Sequence, residues 1–368
     1  MKKTIGLIVN PVAGMGGSIG LKGTDGKMYE KALALGAKPV TPIRTKDFLM
    51  HIGNKDKITL LVAPDKMGEA IVKEFDIPFR VIGTIDDQTS SEDTKRIAGE
   101  MLINGVELLV FVGGDGTARD IYDGIDSRVP VVAVPSGVKI FSAVFAVSAR
   151  AAANMVDAFL DGTDATEEEV LDINEEAFRE GRLSSKLYGY LTVPNVRDSL
   201  QRGKSASNTG KSSVKSKKNI AEYIVTQMDS ETLYLLGPGT TLKSLTDEMG
   251  IPKTLLGVDA VYQGKLVGED LNERGILSLF EQYEKKTIVV TPIGGNGFIF
   301  GRGSKQFTPG VIKQVDRGNI IVVGTKDKVT KLECLRVDTG DFKLDEYLSG
   351  PMEVIVGQNE AMVMEVKC

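Results

Sequence analysis

Tryptophan is absent from this chain, histidine occurs once, at position 51, and cysteine only twice, at positions 334 and 368. These scarcities remove whole classes of chemistry. One imidazole cannot build a multi-histidine metal site, and it makes Ser-His-Asp hydrolysis a poor fit. His51 itself reads as a solvated residue at a helix end. Cys334 and Cys368 cannot make a disulfide framework, and neither has metal-ligand spacing. An excess of positive charge is also missing: 45 Lys and Arg stand against 50 Asp and Glu, a net charge of −5. That balance argues against a general nucleic-acid binder. No apolar run approaches the length of a membrane span. The first ten residues are basic like a leader, but their apolar part is short and leads straight into a strand–loop pattern. The expectation is a cytoplasmic protein whose chemistry rests on carboxylates, lysines, hydroxyls and backbone dipoles.

What is present is ordinary globular composition with a distinctive arrangement. The 368 residues are 42% hydrophobic and 26% charged, enough for two packed domains. Up to residue 148, short apolar runs alternate with helical stretches. Strands are expected at Thr4–Val9, Ile58–Val62, Phe79–Ile82, Leu108–Val112 and Val131–Val134. Helices are expected at Lys27–Leu35, Gly68–Glu74, Glu92–Asn104 and Ser142–Leu160. The strand runs are nearly continuous in Val, Ile and Leu, which suggests a parallel sheet covered on both faces. From residue 149 to 350 the pattern becomes richer in strands: Glu169–Ile173, Leu187–Val193, Glu222–Gln227, Thr232–Leu236, Thr254–Tyr262, Thr287–Val290, Asn319–Val323 and Leu335–Val337. The tail, 351–368, reads as two further strands, Met352–Val356 and Ala361–Val366. No internal repeat is present.

Within the second region, Ser199–Asn219 carries Arg202, Lys204, Lys211, Lys215, Lys217 and Lys218 and no acid. Its Ser, Gly and Lys content favours a solvated loop; a clamp closing on polyanionic phosphate is the alternative.

The most informative stretch is Gly113-Gly114-Asp115-Gly116-Thr117, between the strand ending at Val112 and a helix opening at Ala118. Glycines there let the backbone turn tightly and approach a ligand. The following helix offers unpaired N–H groups and a positive dipole end to phosphate. A lone carboxylate in such a turn reads as a general base for a hydroxyl, or as a contact to nucleotide-borne Mg²⁺. The same run also fits a plain tight turn.

Other loops sit at strand ends, where open α/β sheets bind ligands. Asn10, Gly14 and Gly16 follow the first strand and could cradle a phosphate. Lys139 follows Val134-Pro135 and could meet one as a point charge. Gly237, Gly239 and Thr240 form a strand–turn–helix junction expected to hold a nucleotide phosphate on the helix N-terminus; Thr240 or Thr241 could instead simply cap the helix. Thr291, Gly294, Gly295 and Asn296 follow another strand in a loop that permits close backbone approach. Arg302, between Gly301 and Gly303, is expected to be exposed as a fork for phosphate; a bulged hairpin is the plainer reading of this loop.

These motifs together resemble the NAD kinase superfamily, and more narrowly its "predicted ATP/polyphosphate-dependent NAD kinase, AcoX-like" branch. Gly113–Thr117, Asn174-Glu175, and Thr291-Pro-Ile-Gly-Gly-Asn-Gly-Phe298 come in the order of the family's GGDGT, NE and TPTGSTAY motifs. The resemblance implies a Rossmann-like N-terminal domain followed by a β-rich C-terminal domain of NAD kinase/diacylglycerol kinase-like fold. It implies phosphorylation of NAD at the adenosine ribose 2′-hydroxyl to give NADP, with ATP or polyphosphate as donor and Mg²⁺ as cofactor. Asp115 would be the general base. Gly113, Gly114, Gly116 and Thr117 would hold nucleotide phosphates, and Asn174 and Glu175 would contact the adenine or ribose region of NAD. Thr291, Gly294, Gly295, Asn296 and Arg302 are likewise expected to bind NAD. The family also implies a homo-oligomer with small-molecule nucleotide partners, and the charge and hydropathy already argue against nucleic-acid and membrane partners. The third motif departs from the family pattern, because Gly295-Asn296-Gly297-Phe298 replaces its hydroxyl-bearing half. Asn10-Pro11-Val-Ala-Gly14 with Gly113–Thr117 is also similar to diacylglycerol and sphingosine kinases of the same superfamily. A lipid or other small alcohol is therefore the alternative acceptor, and a non-catalytic nucleotide-binding regulator is a third reading.

Overall fold

The run Leu108-Leu-Val-Phe-Val112 has no polar side chain to offer solvent, and every residue of the strand it forms is buried. In the computed structural model this strand, β4 (Leu108–Gly113), lies in a parallel sheet with β1 (Lys3–Val9), β2 (Ile58–Val62), β3 (Phe79–Val81) and β5 (Val131–Pro135), in the order β3-β2-β1-β4-β5. Residues 2–15, 34, 38–136, 140–173, 185–196, 199–200, 211–293 and 295–367 are described. They fall into two compact units, one built from the chain up to Leu200 and the other from Lys211 onward.

In the first unit, all five expected strands form where the apolar runs placed them. Helix α1 (Thr41–His51), which sequence periodicity did not suggest, carries Pro42 in its first turn and buries Phe48 and Leu49. Helix α2 (Ser91–Ile103) starts on a capping box in which Ser90 and Asp93 exchange bonds, satisfying two orphan donors. Helix α3 (Asp115–Ile125) follows β4, and α4 (Ala149–Leu160) follows β5. The expected helix Ser142–Leu160 is therefore shorter than anticipated. It begins at Ala149 because Ser148 caps it, accepting from Ala151 N at 3.1 Å. The backbone of 141–143 is already committed elsewhere, to Asp115 and to the Glu169 carbonyl. An antiparallel hairpin, β6 (Ala165–Ile173) and β7 (Ser185–Pro194), completes this unit. The sequence expectation drew the boundary at residue 148, whereas α4 and this hairpin pack with the first unit. Of the expected helix Lys27–Leu35, all but Ala34 lies outside the described residues.

The second unit is strand-rich but not simply a meander. Its sheet runs β10-β9-β8-β11-β13-β15-β16-β14-β12, from β8 (Thr232–Leu236), β9 (Val258–Tyr262), β10 (Lys265–Leu271), β11 (Lys285–Val290), β12 (Phe298–Phe300), β13 (Ile320–Val323), β14 (Leu335–Val337), β15 (Gly350–Gly357) and β16 (Glu360–Lys367). Neighbours β8, β11, β13 and β15 are parallel to one another. Their side chains alternate between two apolar layers. Leu233, Leu235, Ile288 and Val290 face one core, which includes Ile276 and Phe280, and Tyr234, Leu236 and Val289 face the other. The second layer is closed by two helices, α5 (Lys211–Gln227) and α6 (Thr240–Glu248).

Helix α5 corrects two expectations. Its first half was read as part of a solvated basic loop, and Glu222–Gln227 as a strand. Ile220, Ala221 and Ile224 recur at helical spacing and are buried against Leu236, Leu242 and Val289, and that packing decides the conformation. Residues 201–210 of the basic stretch lie outside the described residues. The expected strand Thr254–Tyr262 begins only at Val258. Before it, the chain bends around a fully buried ion pair, Lys253 to Asp259 at 2.9 Å. Asp259 also accepts from Thr254 N at 2.8 Å, Thr254 Oγ1 at 2.7 Å and Asp270 N at 2.8 Å.

Candidate active site

In the first unit the loops after β1 and β4 are tied together. Asn10 donates its backbone N–H to the Val112 carbonyl at 2.9 Å. Its side chain donates to Thr117 Oγ1 at 3.0 Å and accepts from Val12 N at 3.2 Å. Asn10 therefore shapes the two loops, and Thr117 is buried by this contact. Gly14 turns with a φ of +79°. The Gly113–Thr117 turn works differently from the expectation of unusual backbone angles. Gly114 is extended, with a φ of −126°, and neither Gly113 nor Gly116 has a positive φ. Gly113 is required for room, since a β-carbon there would stand 2.3 Å from Thr117 Oγ1. Gly116 is open: its nearest neighbour would be Arg119 Nη2, at 3.7 Å.

Asp115 is the first residue of α3, and no side chain caps the helix at Gly114. The first-turn N–H groups of such a helix are an anion site. The carboxylate is fixed from the opposite side by the segment after β5. Phe141 N donates to Oδ2 at 2.9 Å and to Oδ1 at 3.2 Å, Ser142 N donates to Oδ1 at 2.8 Å, and Ser142 Oγ donates to Oδ1 at 2.5 Å. Ser142 is fully buried and also accepts the Leu171 N–H of β6 at 2.9 Å. Strand β6 thus sets Ser142, and Ser142 sets Asp115. Nothing in Ile140-Phe-Ser-Ala-Val144 marked that serine in the sequence.

The second unit places its expected residues at the carboxyl ends of its parallel strands. After β8, Gly237 donates to the Val289 carbonyl at 2.9 Å, and Gly239, with a φ of +119°, donates to the Leu255 carbonyl at 2.9 Å. Thr240 opens α6. Thr291, after β11, stands beside Gly239, its methyl 3.0 Å from where a β-carbon on that glycine would be. The rest of the third motif is a tight turn: Ile293 N donates to the Phe298 carbonyl at 2.7 Å, and Gly297 has a φ of +75°. A β-carbon on Gly297 would lie 2.3 Å from the Cys334 carbonyl, so this glycine serves the close approach of β12 and β14. Gly295 and Asn296 lie in that turn. Arg302, expected at the surface, is 8% exposed and stacks its guanidinium over Phe298, 4.9 Å from the ring centroid. Gly16, Lys139, Asn174, Glu175 and Gly294 lie outside the described residues. Among the described residues, no group of three or more His, Cys, Asp and Glu side chains could hold a metal ion, and no helix is long and apolar enough to cross a membrane.

The first unit is thus a parallel sheet with a glycine–aspartate turn feeding an uncapped helix, and a strand-rich unit follows it in the chain. Residues 5–164 match the ATP-NAD kinase N-terminal domain, and residues 229–366 match the ATP-NAD kinase C-terminal domain. The chain belongs to the NAD kinase superfamily. No curated protein matches it. Similar solved structures include three from Bacillus anthracis str. Sterne described as diacylglycerol kinases, two of them as putative ones, each 15% identical, with TM-scores of 0.22, 0.22 and 0.23. Those alignments cover 47% of this chain and 44%, 47% and 46% of the other chains. This chain therefore spans less than half the length of those structures, and so partial a likeness carries no weight for acceptor or mechanism.

Proposed function

We propose that this chain is an NAD kinase, transferring a terminal phosphoryl group from ATP or polyphosphate to the adenosine ribose 2′-hydroxyl of NAD. The observation that carries the reading is the position of Asp115. It stands at the head of an uncapped helix, at the carboxyl edge of a parallel sheet, in a chain with both ATP-NAD kinase domains. Phosphoryl transfer asks mainly for positioning and charge neutralisation, and the residues present suit that demand. The N–H groups of the first turn of α3 and the open face of Gly116 suit phosphate oxygens. The carboxylate of Asp115, oriented by Phe141 and Ser142, accepts the hydroxyl proton as the ribose oxygen bonds to phosphorus and the donor's bridging P–O bond breaks. Mg²⁺, carried by the donor phosphates, would supply charge neutralisation.

One observation favours a second reading. The carboxylate already accepts hydrogen bonds from Phe141 and Ser142, as a clamp in a non-catalytic nucleotide-binding module would. NADP formation by the purified chain with NAD, Mg²⁺ and either donor separates the two. A kinase loses turnover by orders of magnitude on Asp115→Asn, whereas a binding module shows none to lose.

A further inference from the structure

At the carboxyl ends of β8, β11 and β13, the second unit brings two lysines together without a carboxylate. Lys217, on α5, donates to Thr240 Oγ1 at 2.9 Å. Lys328, in the short helix Lys326–Val329 after β13, donates to the Pro292 carbonyl after β11. Burial, together with the charge of Lys217, pulls the Lys328 ammonium down to about 8. Their neighbours are arranged otherwise: Lys218 pairs with Glu222, Lys326 with Glu360 and Lys331 with Asp327. Among the described residues, Lys217 and Lys328 are held by a hydroxyl and a carbonyl alone. A buried ammonium at Lys328 beside the part-exposed charge of Lys217 raises the free energy unless an anion joins them.

Two further features converge on the same place. Helix α6 is nine residues long, begins on Gly239 with no side-chain cap, and presents Thr240 and Thr241 in its first turn. Thr291, 4% exposed and in contact with Gly239, has a buried hydroxyl with no hydrogen-bond partner. A buried hydroxyl left unpaired is costly, and this one belongs to the residue whose methyl packs against Gly239.

We propose that Lys217, Lys328, Thr240 and Thr291, with the first turn of α6, form an oligophosphate-binding site belonging to the second unit alone. The lysines supply charge, the hydroxyls and N–H groups direct the oxygens, and the ligand class is a chain of linked phosphates, inorganic or nucleotide-borne. The site needs neither NAD nor Asp115, so it stands or falls separately from the kinase reading.

Calorimetric titration of the full chain with inorganic tripolyphosphate, and separately with ATP, tests it without turnover. Wild type is expected to bind tripolyphosphate saturably. Lys217→Gln and Lys328→Met should each weaken binding at least tenfold, while Lys331→Gln, whose lysine is already paired with Asp327, should bind as wild type. Without phosphate, Lys328→Met should melt no lower than wild type, because it removes a buried like charge. Lys217 lies on a part-exposed face of α5, so Lys217→Gln keeps the test valid should Lys328→Met fold poorly. Binding of ATP but not tripolyphosphate would assign the contacts to the nucleoside and overturn the proposal. Equal affinity in wild type and both variants, or no saturable binding by wild type, would overturn it as well.

Discussion

Replacing Ser142 by alanine removes one oxygen that serves two partners. Its hydroxyl donates to Asp115 Oδ1 at 2.5 Å and accepts the Leu171 N–H at 2.9 Å, in a residue with no exposed surface. A hydrogen bond to a charged group contributes about 1.5–3 kcal/mol, and a buried N–H left without an acceptor costs about 1–3 kcal/mol. The carboxylate keeps its backbone donors at Phe141 and Ser142, so the lower half of the combined range applies, roughly 2.5–4 kcal/mol of destabilisation. Urea unfolding with a probe in the first unit reads this directly as a lowered midpoint. Because the loss also frees Asp115 to reorient, NADP formation should fall more in kcat than in KM for NAD. A variant whose stability moves by less than about 0.5 kcal/mol and whose kcat is unchanged would refute the chain of positioning from β6 through Ser142 to Asp115.

Three further outcomes follow from groups away from that chain. Burial raises the Asp120 carboxyl from 3.8 to about 6; the native state therefore holds a proton more tightly than the unfolded chain, and stability falls as pH rises from about 4 to about 6. Asp120→Asn should flatten that leg of a stability–pH curve and raise stability at pH 7 by roughly 1–2 kcal/mol, the full shift being discounted for partial exposure. Asp259→Asn leaves the buried Lys253 ammonium, which burial already pushes below its ordinary range, without its counter-charge; a loss of about 3–5 kcal/mol is expected in the second unit, read by denaturant titration. The tripolyphosphate titration should show Lys217 and Lys328 acting together, the double variant keeping a folded baseline in urea while its affinity falls further than in either single variant.

Much of the first unit was legible because its strands are buried on both faces, so Leu108–Val112 and Val131–Val134 read as unbroken apolar runs. Helix α1 was not, since Thr41-Pro-Ile-Arg-Thr-Lys-Asp has little apolar periodicity before Phe48. Helix α5 was misread for the opposite reason: its buried residues, Ile220, Ala221 and Ile224, follow a lysine-rich stretch that looks solvated. The parallel core of the second unit was hidden too, because strand pairing depends on contacts distant in sequence, such as Ile288 beside Ile320. In the candidate site, Asp115 and its glycines announced themselves by spacing. Ser142 could not, because a buried serine between apolar residues has no pattern of its own, and Lys328 gains its meaning only where three loops meet. Arg302 shows the reverse case: its glycine neighbours suggested exposure, and stacking on Phe298 buries it.

The most direct test is the rate of NADP formation from NAD and Mg²⁺ with ATP or polyphosphate, for wild type and Asp115→Asn, with melting midpoints measured alongside. The account predicts turnover with at least one donor in wild type, and its loss by orders of magnitude in the variant while the fold persists. No NADP from wild type with either donor, or undiminished turnover in a folded Asp115→Asn protein, would contradict it.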